Sequence, residues 1–381
     1  MNVLYLSPGC FDKGGISRYN RFQISALREL LGEDSVTAIS LSPEGSNDFE
    51  ESIEVAWKAN SPSHSLNKLT FAAISTLYAL KPRIRIVWAA HVHLAPMARV
   101  IASTIGARAV VNVYGLELWS GLGRLRRWGL GSADAVVSDC QFSARYLSAE
   151  NGLNLHHSAT VIHDAVDIQK LTPGKPAAPV LRKYGIPDPD AHINILTLGR
   201  MVSGAAHKGY QRLLEAFGLV APDIANARLI FAGSGDLGDR LKKRTAELGL
   251  ERAVVFAGSI ADPDLADVYR SSHIFSLVSD RGHERGEGVP VTPIEAAACG
   301  VPAIVGDEDG SPEAVENGVT GFVVKSRDVP AHAALLRKLS FDRAAREHLG
   351  AAARSRAVTE FSYQAFTYKH KLFLESALRQ R

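Results

Sequence analysis

The 381-residue sequence has little cysteine and no long hydrophobic run. Its three cysteines, Cys10, Cys140 and Cys299, are odd in number and far apart, which argues against a disulfide framework and indicates a reducing compartment, the cytoplasm. No segment approaches the roughly 18 consecutive apolar residues that a membrane-spanning helix requires. The N-terminus lacks the basic region and the apolar run of a secretory signal peptide. We therefore expect neither a secreted disulfide-rich protein nor an integral membrane protein.

A strong excess of one charge is also missing. The formal net charge is +3 and the pI is about 8.7, a balance that does not by itself predict nucleic-acid binding. No internal repeat or low-complexity tract is visible. With 46% hydrophobic and 22% charged residues, a chain of this length is predicted to form two domains, each with its own core.

The hydrophobic pattern predicts a parallel α/β architecture, because short β-branched runs alternate with longer amphipathic segments. In the first half, the predicted helices are Ile16–Leu31, Leu66–Leu80 and Pro96–Ile105. The predicted strands there are Val3–Ser7, Val36–Leu41, Ile53–Trp57, Ile84–Trp88, Ala109–Val113, Ala135–Ser138 and Thr160–Ile162. In the second half, the predicted strands are Ile193–Leu198, Arg228–Ala232, Val254–Ala257, Ile274–Val278, Ala303–Val305 and Gly321–Val324.

Residues 171–191 contain five prolines and are predicted to be the crossing between the two domains, 1–170 and 192–360. Two open parallel sheets of this kind are expected to face each other across a cleft. Ligands in such sheets bind at the C-terminal ends of the strands. The functional residues are therefore expected in the loops that follow strands.

The loop and helix that follow strand 274–278 are the most informative part of the sequence. Glu287 and Glu295 are eight residues apart. Thr292 suits an N-cap and Pro293 suits the first helical position, so a helix is predicted to start at Pro293. Its amides and dipole would attract a diphosphate while the two acids bind sugar hydroxyls, which suits a nucleotide-activated sugar. Alternatively, Thr292 and Glu295 form a capping box and Glu287 is an ordinary surface acid.

The order of several motifs resembles the family-4 retaining glycosyltransferases, also described as glycosyl transferases group 1. The pair of Glu287 and Glu295, with the run to Pro302, is similar to the central signature of that family, and Arg200 with Lys208 is similar to its phosphate-binding pair. Further family-like segments are 231–235, 254–258, 309–313 and 318–322. The resemblance implies the GT-B fold: an acceptor-binding and a donor-binding Rossmann-like domain, with a C-terminal helix, 361–381, that crosses back to the first.

The resemblance also implies residue roles. Arg200 and Lys208 would neutralise the diphosphate, and Glu287 would bind the transferred sugar; these three are the predicted catalytic residues. The predicted donor-binding residues are Gly15, Gly199, Arg200, Lys208, Gly258, Glu287, Gly288, Val289, Pro290 and Glu295, the last of which would accept hydrogen bonds from the ribose. Alternatively, the two cations are solvated surface residues. Gly199 and Gly233 are expected to serve tight strand-to-helix turns in either case.

The predicted acceptor-binding residues are His91, His93, Tyr114 and Glu117. The two histidines follow a predicted strand at alternate positions, and no third metal ligand has useful spacing to them. Tyr114 stands where the family often has a histidine, which leaves no catalytic histidine to assign there. Glu117 is a candidate to orient or deprotonate the acceptor hydroxyl, or else a helix-start acid that the dipole stabilises.

No cofactor and no metal ion are expected. Two Asp-x-Asp pairs occur, but 188–190 lies in the predicted crossing and 262–264 opens a predicted helix as a cap. The arginine-rich stretch 123–130 includes leucine and tryptophan. It is interpreted either as a peripheral contact with the inner membrane face or as a solvated helix with an anchoring tryptophan.

The sequence therefore predicts a retaining, metal-independent hexosyltransferase. It would move a hexose from a UDP- or GDP-sugar to a hydroxyl of a saccharide or lipid-linked acceptor, in bacterial polysaccharide or glycolipid biosynthesis. Two alternatives remain open. One is a catalytically silent nucleotide-sugar-binding subunit, which Tyr114 suggests. The other is a dinucleotide-dependent oxidoreductase, because Gly233, Gly235 and Gly238 fit the pattern Gly-x-Gly-x-x-Gly.

Overall fold

The computed structural model describes residues 1–12, 14–43, 53–61, 63–119, 121–149, 159–281 and 286–379. The chain folds into two compact units. The first comprises Met1–Ala165 together with Tyr363–Arg381, and the second is the continuous segment Val166–Ser362. The chain therefore passes from one unit to the other after Ala165 and returns after Ser362.

The first unit is built on a seven-stranded parallel sheet. Its strands are β1 (Asn2–Ser7), β2 (Val36–Ser40), β3 (Trp57–Lys58), β4 (Ile84–Ala89), β5 (Arg108–Val113), β6 (Ala135–Ser138) and β7 (Thr160–Val161). They are arranged in the order β3-β2-β1-β4-β5-β6-β7. The helices between them are α1 (Gly15–Leu31), α2 (His64–Ala79), α3 (Ala95–Ile105), α4 (Leu116–Trp119), α5 (Arg124–Gly131) and α6 (Gln141–Ala149).

The second unit is built on a six-stranded parallel sheet. Its strands are β8 (Ile193–Leu198), β9 (Ala227–Ala232), β10 (Val254–Gly258), β11 (Ile274–Leu277), β12 (Ala303–Gly306) and β13 (Gly321–Val324), in the order β10-β9-β8-β11-β12-β13. Its helices are α7 (Ala178–Tyr184), α8 (Tyr210–Gly218), α9 (Leu237–Glu247), α10 (Leu265–Arg270), α11 (Val291–Ala298), α12 (Val329–Phe341) and α13 (Arg343–Glu360). The last helix of the chain, α14 (Tyr363–Arg379), belongs to the first unit.

Helices cover both faces of the first sheet, which explains why its strands are apolar at consecutive positions. Neighbouring residues on β1 point to opposite faces. Tyr5 packs in a buried cluster with Leu27 of α1, and Leu6 packs in a second cluster with Phe71 of α2 and Ile101 of α3. The sheet is therefore buried between two apolar layers, as the sequence pattern predicts.

The helix α14 returns to the first unit, so this prediction is confirmed. Phe366, Phe373 and Leu374 belong to the cluster that contains α1. Nδ1 of His370 lies 2.9 Å from the Phe366 carbonyl oxygen, and its Nε2 lies 2.8 Å from Nε2 of Gln23. Because the carbonyl requires the proton on Nδ1, the Nε2 atom accepts from Gln23. Burial lowers the pKa of His370 to about 4, which keeps the ring neutral.

Two predicted features differ from the structure. The strand predicted at 53–57 is Trp57–Lys58, because this edge strand pairs with β2 only from Trp57 onward. The proline-rich stretch 171–191, predicted as the crossing, lies within the second unit, where α7 occupies part of it and Pro179 sits in the first turn of that helix. Arg270 also binds this stretch, with 2.7 Å from its Nε to the Thr172 carbonyl oxygen. The prolines there suit a helix start and a packed loop.

Both sheets reverse their strand order at one point. In the first sheet this point lies between β1 and β4, and in the second it lies between β8 and β11. A crevice forms at the carboxyl ends of the strands where the order reverses, and open α/β sheets bind their ligands there. Functional residues are therefore expected in the loops that follow these four strands.

Candidate functional site

In the second unit, the loop after β8 carries the two predicted cations. Arg200 lies two residues beyond the strand, and Lys208 ends a short 3-10 turn, Ser203–Lys208. The Lys208 side chain folds back toward the strand, since its Cδ lies 3.7 Å from where a Cβ on Gly199 would stand. Arg200 is exposed, and within the described residues its guanidinium has no ion pair. The structure thus places an unpaired cation and an anchored cation at the end of one strand.

Glu287, on the loop after β11, meets the loop after β8. Its Oε1 atom lies 2.7 Å from Lys208 Nζ and 2.8 Å from His207 Nε2. The side chains of Lys208 and Glu287 are only 16% and 18% exposed, so this ion pair is largely shielded from water. No hydrogen bond from the described residues reaches Oε2 of Glu287. The Oε1 atom of Glu287 is therefore bound by two side chains, and its Oε2 atom is bound by none of the described residues.

The pKa of Glu287 reflects these neighbours. Burial by itself raises the pKa, but Lys208 and His207 outweigh burial and lower it to about 2. Glu287 is therefore an anion at neutral pH. Sequence reasoning missed His207, for which the only available signal was its position beside Lys208.

The helix after Glu287 begins earlier than predicted. The α11 helix starts at Val291, with Pro290 as an N-cap that makes no side-chain bond, so Thr292 is not the N-cap and the capping box is wrong. Proline at 290 has an extended backbone, which suits the position just before a helix. Glu295 consequently lies beyond the first turn. It is buried, and its Oε2 accepts a hydrogen bond of 2.6 Å from the Tyr269 hydroxyl.

The glycines after β9 are explained by backbone packing. A Cβ on Gly233 would overlap the Gly199 carbonyl oxygen, and a Cβ on Gly235 would overlap that of Met201. Both glycines have positive φ angles, 134° and 145°. The carboxylate of Asp236, at the start of α9, accepts a 2.8 Å hydrogen bond from the Ser203 amide. The Gly-x-Gly-x-x-Gly segment therefore holds two loops together through close backbone packing and the Asp236 hydrogen bond.

The first unit brings its four predicted acceptor residues into one cluster after β4 and β5. The rings of His91 and His93 are 4.5 Å apart, and His91 stacks at 6.1 Å on Tyr114. The backbone amide of Tyr114 donates to Glu117 Oε1 at 2.6 Å. The Tyr114 hydroxyl is buried and bonds to Asn20, so only its ring faces the histidines.

Two groups of this cluster have shifted pKa values. Burial raises the pKa of Glu117 to about 7, although its bond from the Tyr114 amide acts in the opposite direction. Burial, with His93 and Arg126, lowers the pKa of His91 to about 4. At neutral pH the cluster therefore combines a neutral His91 imidazole with a Glu117 carboxyl group whose pKa lies near 7.

Two further predicted donor residues, Gly15 and Gly258, lie at strand or helix ends. Gly15 is the first residue of α1, and the preceding amide, that of Gly14, donates at 2.6 Å to Asp12 Oδ1. Gly258 ends β10 with φ of 71°, and its carbonyl oxygen accepts from Gly233 at 2.7 Å. Among the remaining predicted donor residues, Val289 and Pro290 are buried and Gly288 is partly exposed.

The described residues contain no group of three His, Cys, Asp or Glu side chains that could hold a metal ion. Of the two Asp-x-Asp pairs, 188–190 lies in a turn, and Asp264 is bound at 2.6 Å by Lys183. The three cysteines, all within the described residues, are buried and form no disulfide. Within the same residues, every helix is either too short or too polar to cross a bilayer.

Sequence comparison finds a family match over most of the second unit. Residues 188–356 match the family described as glycosyl transferases group 1. The second unit is a glycosyl transferases group 1 domain. A GDP-mannose-dependent alpha-(1-6)-phosphatidylinositol monomannoside mannosyltransferase from Mycobacterium tuberculosis is 27% identical over 329 residues, which is 84% of this chain and 79% of that protein. A related monoacylated-substrate mannosyltransferase from Corynebacterium glutamicum is 27% identical over 296 residues, 75% of this chain and 74% of that protein.

Solved structures show the same fold for this glycosyltransferase. The crystal structure of Anabaena HepE in complex with UDP has a TM-score of 0.81 at 18% identity and covers 99% of this chain and 100% of its own. A sucrose-phosphate synthase from Thermosynechococcus elongatus has a TM-score of 0.77 at 18% identity, with full coverage of both chains. The glycosyltransferase therefore has the GT-B fold that the resemblance implied.

Proposed function

We propose that this glycosyltransferase is a retaining hexosyltransferase that uses a nucleotide-diphosphate sugar. It moves the hexose to a hydroxyl of a saccharide or lipid-linked acceptor in bacterial polysaccharide or glycolipid biosynthesis. The observation that carries the proposal is the Lys208–Glu287 ion pair between the loops after β8 and β11, with Arg200 exposed on the first of these loops. Two cations beside an ionised carboxylate fit a ligand that combines a diphosphate with sugar hydroxyls. The GDP-mannose dependence named for the mycobacterial relative supports this ligand class.

The diphosphate binds to groups from both loops. Arg200 offers a planar fork of donors, and Lys208 offers a compact charge. The amides of Val291 and Thr292 add the positive end of the α11 dipole, while Pro293 has no amide hydrogen to give. When Lys208 turns to the phosphate, His207 remains bonded to Glu287 and keeps that carboxylate in place.

The reaction breaks the bond between sugar C1 and the phosphate oxygen. The electron pair leaves with the diphosphate, whose growing charge Arg200 and Lys208 stabilise. The acceptor hydroxyl bonds to C1 on the same face, and its proton passes to the departing phosphate oxygen. The configuration at C1 is retained, and these side chains supply the positive field, so the proposed reaction requires no metal ion.

The two glutamates bind the two sugars of the donor. The Oε2 atom of Glu287 accepts hydrogen bonds from hydroxyl groups of the hexose, because no described residue donates a hydrogen bond to this oxygen. Glu295 binds the ribose, and the bond from Tyr269 fixes the orientation of its carboxylate. Gly199 and Gly258, two of the predicted donor-binding residues, shape the loops around these groups.

The acceptor binds to the cluster in the first unit. His91 and His93 offer imidazole groups to acceptor hydroxyls, Tyr114 packs against His91, and Glu117 orients the hydroxyl that attacks. The proton of that hydroxyl passes to the departing phosphate oxygen, so Glu117 acts here as a positioning group.

A thermal-shift screen tests the donor class. GDP, UDP, GDP-mannose and UDP-glucose are compared with NAD, since a ligand at about one hundred times its Kd adds roughly 2.7 kcal/mol of stability. We expect stabilisation by one nucleotide and its sugar, followed by transfer in a radiolabelled assay. Stabilisation by NAD alone favours an oxidoreductase, and sugar-nucleotide binding without transfer or hydrolysis favours a silent subunit. A protein that binds none of these ligands contradicts the proposal.

We further propose that the first unit touches an anionic membrane surface, where a lipid-linked acceptor is found. Residues 55–133 contain ten lysines and arginines and a single acid, Glu117, which is buried. Leu69 of α2 is 71% exposed, and Leu125 and Trp128 of α5 are 66% and 48% exposed. Partial desolvation lowers the pKa of His93, and Arg126 of α5 and Lys68 of α2 lower it further. The two helices thus bring cations and exposed apolar groups near a proposed acceptor residue.

Vesicle flotation tests this surface. We expect binding to phosphatidylglycerol vesicles and weak binding to phosphatidylcholine vesicles, because each cation near an anionic surface contributes about 1 kcal/mol. Replacing Arg124, Arg126 and Arg127 by glutamine should release the protein. The matched control replaces Arg240, Lys242 and Lys243 of α9 by glutamine and should leave binding unchanged. Equal binding to both vesicle types would reject the membrane contact.

A further inference from the structure

The segment 309–311 lies beside the Glu287 loop, 22 residues further along the chain. Asp309 Oδ2 accepts a hydrogen bond of 2.9 Å from the Glu287 backbone amide. The next residue completes the contact, since the Gly310 amide donates at 3.0 Å to the Glu287 carbonyl oxygen. Both backbone groups of Glu287 are therefore bonded to two consecutive residues.

Asp309 is itself held in place by buried groups. Its Oδ2 accepts from the Ser279 hydroxyl at 2.8 Å, and its Oδ1 accepts from the Ser311 amide at 2.9 Å. Asp309 is 2% exposed, and both serines are fully buried. Ser279 lies two residues beyond β11 and Asp309 lies three residues beyond β12, so the carboxylate joins the ends of two neighbouring strands.

The packing at Gly310 leaves no room for adjustment. A Cβ on Gly310 would lie 2.5 Å from the Gly288 carbonyl oxygen and 3.2 Å from the Val289 amide nitrogen. The Glu287–Val289 backbone thus rests directly on this glycine. Asp309 and Gly310 hold the start of this backbone, and α11 holds its far end. Lys208 and His207 bind only the Glu287 side chain.

From these contacts we infer that Asp309 is a positioning residue for the transferred sugar: it fixes the Glu287 backbone so that the free carboxylate oxygen meets the hexose. This inference rests on the proposed function, which assigns the hexose to Glu287. Asp309 touches neither substrate nor reacting atoms. Arg200 and Lys208, which bind the diphosphate, come from the other loop and make no bond to Asp309.

The inference predicts that Asp309 affects sugar recognition separately from nucleotide binding. In Asp309→Asn, one oxygen keeps the Ser311 amide and an NH2 group faces the Glu287 amide, so two donors oppose each other. We expect the affinity for the nucleotide-diphosphate sugar to fall about tenfold or more, while the affinity for the free nucleoside diphosphate changes less than about threefold. The rate of transfer should fall with the sugar-nucleotide affinity.

The control is Ser279→Ala, which removes another buried bond to the same Asp309 oxygen but leaves the Glu287 amide bonded. It should keep the ratio of the two affinities within about threefold of wild type. The affinities for the sugar nucleotide and for the free nucleoside diphosphate are measured by calorimetry in the variant, the control and the wild type. The Tm of each protein is measured as well. Should Asp309→Asn fail to fold, Gly310→Ala, which keeps every hydrogen-bonding group and displaces Gly288, should show the same sugar-specific loss.

The outcomes separate the two ideas. A wild-type protein that binds no nucleotide-diphosphate sugar overturns the proposed function, and the role of Asp309 with it. A wild-type protein that binds and transfers, combined with a variant in which both affinities fall equally or neither falls, overturns the role of Asp309 alone.

Discussion

Lys208 and Glu287 are the two residues whose contact links the loops after β8 and β11. Their side chains are shielded from water, and the low pKa of Glu287 shows that the cations dominate over burial. Lys208, Glu287 and Arg200 could be proposed as site residues from the sequence, because their order along the chain resembles a known pattern. His207 and Asp309 could not, because they reach Glu287 only through contacts 80 and 22 residues distant. No local pattern reports such contacts.

Removing the Lys208 charge tests its role in the reaction. In Lys208→Ala, turnover should fall about 100-fold or more, because one cation fewer stabilises the leaving diphosphate. Donor affinity should fall less, since Arg200 and the α11 amides remain. Initial rates over a range of donor concentrations separate kcat from KM. Lys242→Ala, at an exposed position on α9, is the control, and wild-type turnover in Lys208→Ala would contradict the assignment.

Among the elements, strand positions followed from the sequence more closely than helix ends. β6, β8 and β13 have their predicted limits, since β-branched apolar runs between turns define buried parallel strands. The start of α11 was predicted two residues late, because Thr292 and Pro293 satisfy the local rules for a helix start as well as Pro290 and Val291 do. Only the course of the loop from Glu287, which packs on Gly310, distinguishes the two.

The glycine turn after β9 offers a prediction at this scale. Gly233→Ala should lower the free energy of unfolding by more than about 2 kcal/mol, because φ is 134° and a Cβ would overlap the Gly199 carbonyl oxygen. Gly238→Ala is the matched change within the same motif. It lies inside α9 with no neighbour within 4 Å of a Cβ, so it should stabilise the protein by about 0.5–1 kcal/mol. Urea unfolding measures both. Equal effects would show that close backbone packing does not explain the pattern.

At the scale of the whole molecule, the two-sheet architecture followed from the alternation of strands and helices. The limits of the two units could not be predicted in the same way. The prolines of 171–191 lie at the start of a helix and in a packed loop inside the second unit. The chain passes between the units at Ala165, where no local composition marks the change.

Acid should lower the free energy of unfolding of the first unit, because it protonates His370. Its pKa in the folded protein is about 4, below the unfolded value of 6.5, so the unfolded chain binds the proton more readily. Stability is therefore full above pH 6.5 and is lost as the pH falls toward 4. From pH 7 to pH 5 this histidine should cost about 2 kcal/mol.

Urea unfolding of His370→Gln at both pH values measures this contribution. The loss of stability from pH 7 to pH 5 should be smaller in the variant by about the same 2 kcal/mol. His348→Gln, at an exposed position, serves as the control and should retain the wild-type pH dependence. A His370→Gln protein with unchanged pH dependence would show that this ring does not couple α14 to pH.

The return of α14 to the first unit has a consequence for biosynthesis. During translation, the first 165 residues leave the ribosome long before residues 363–379 exist, so the face of the sheet that Phe366 and Phe373 cover stays uncovered meanwhile. The continuous segment 166–362 has no such delay and can complete its own core first. Nascent chains of this protein should therefore present an apolar surface to chaperones until the final helix emerges.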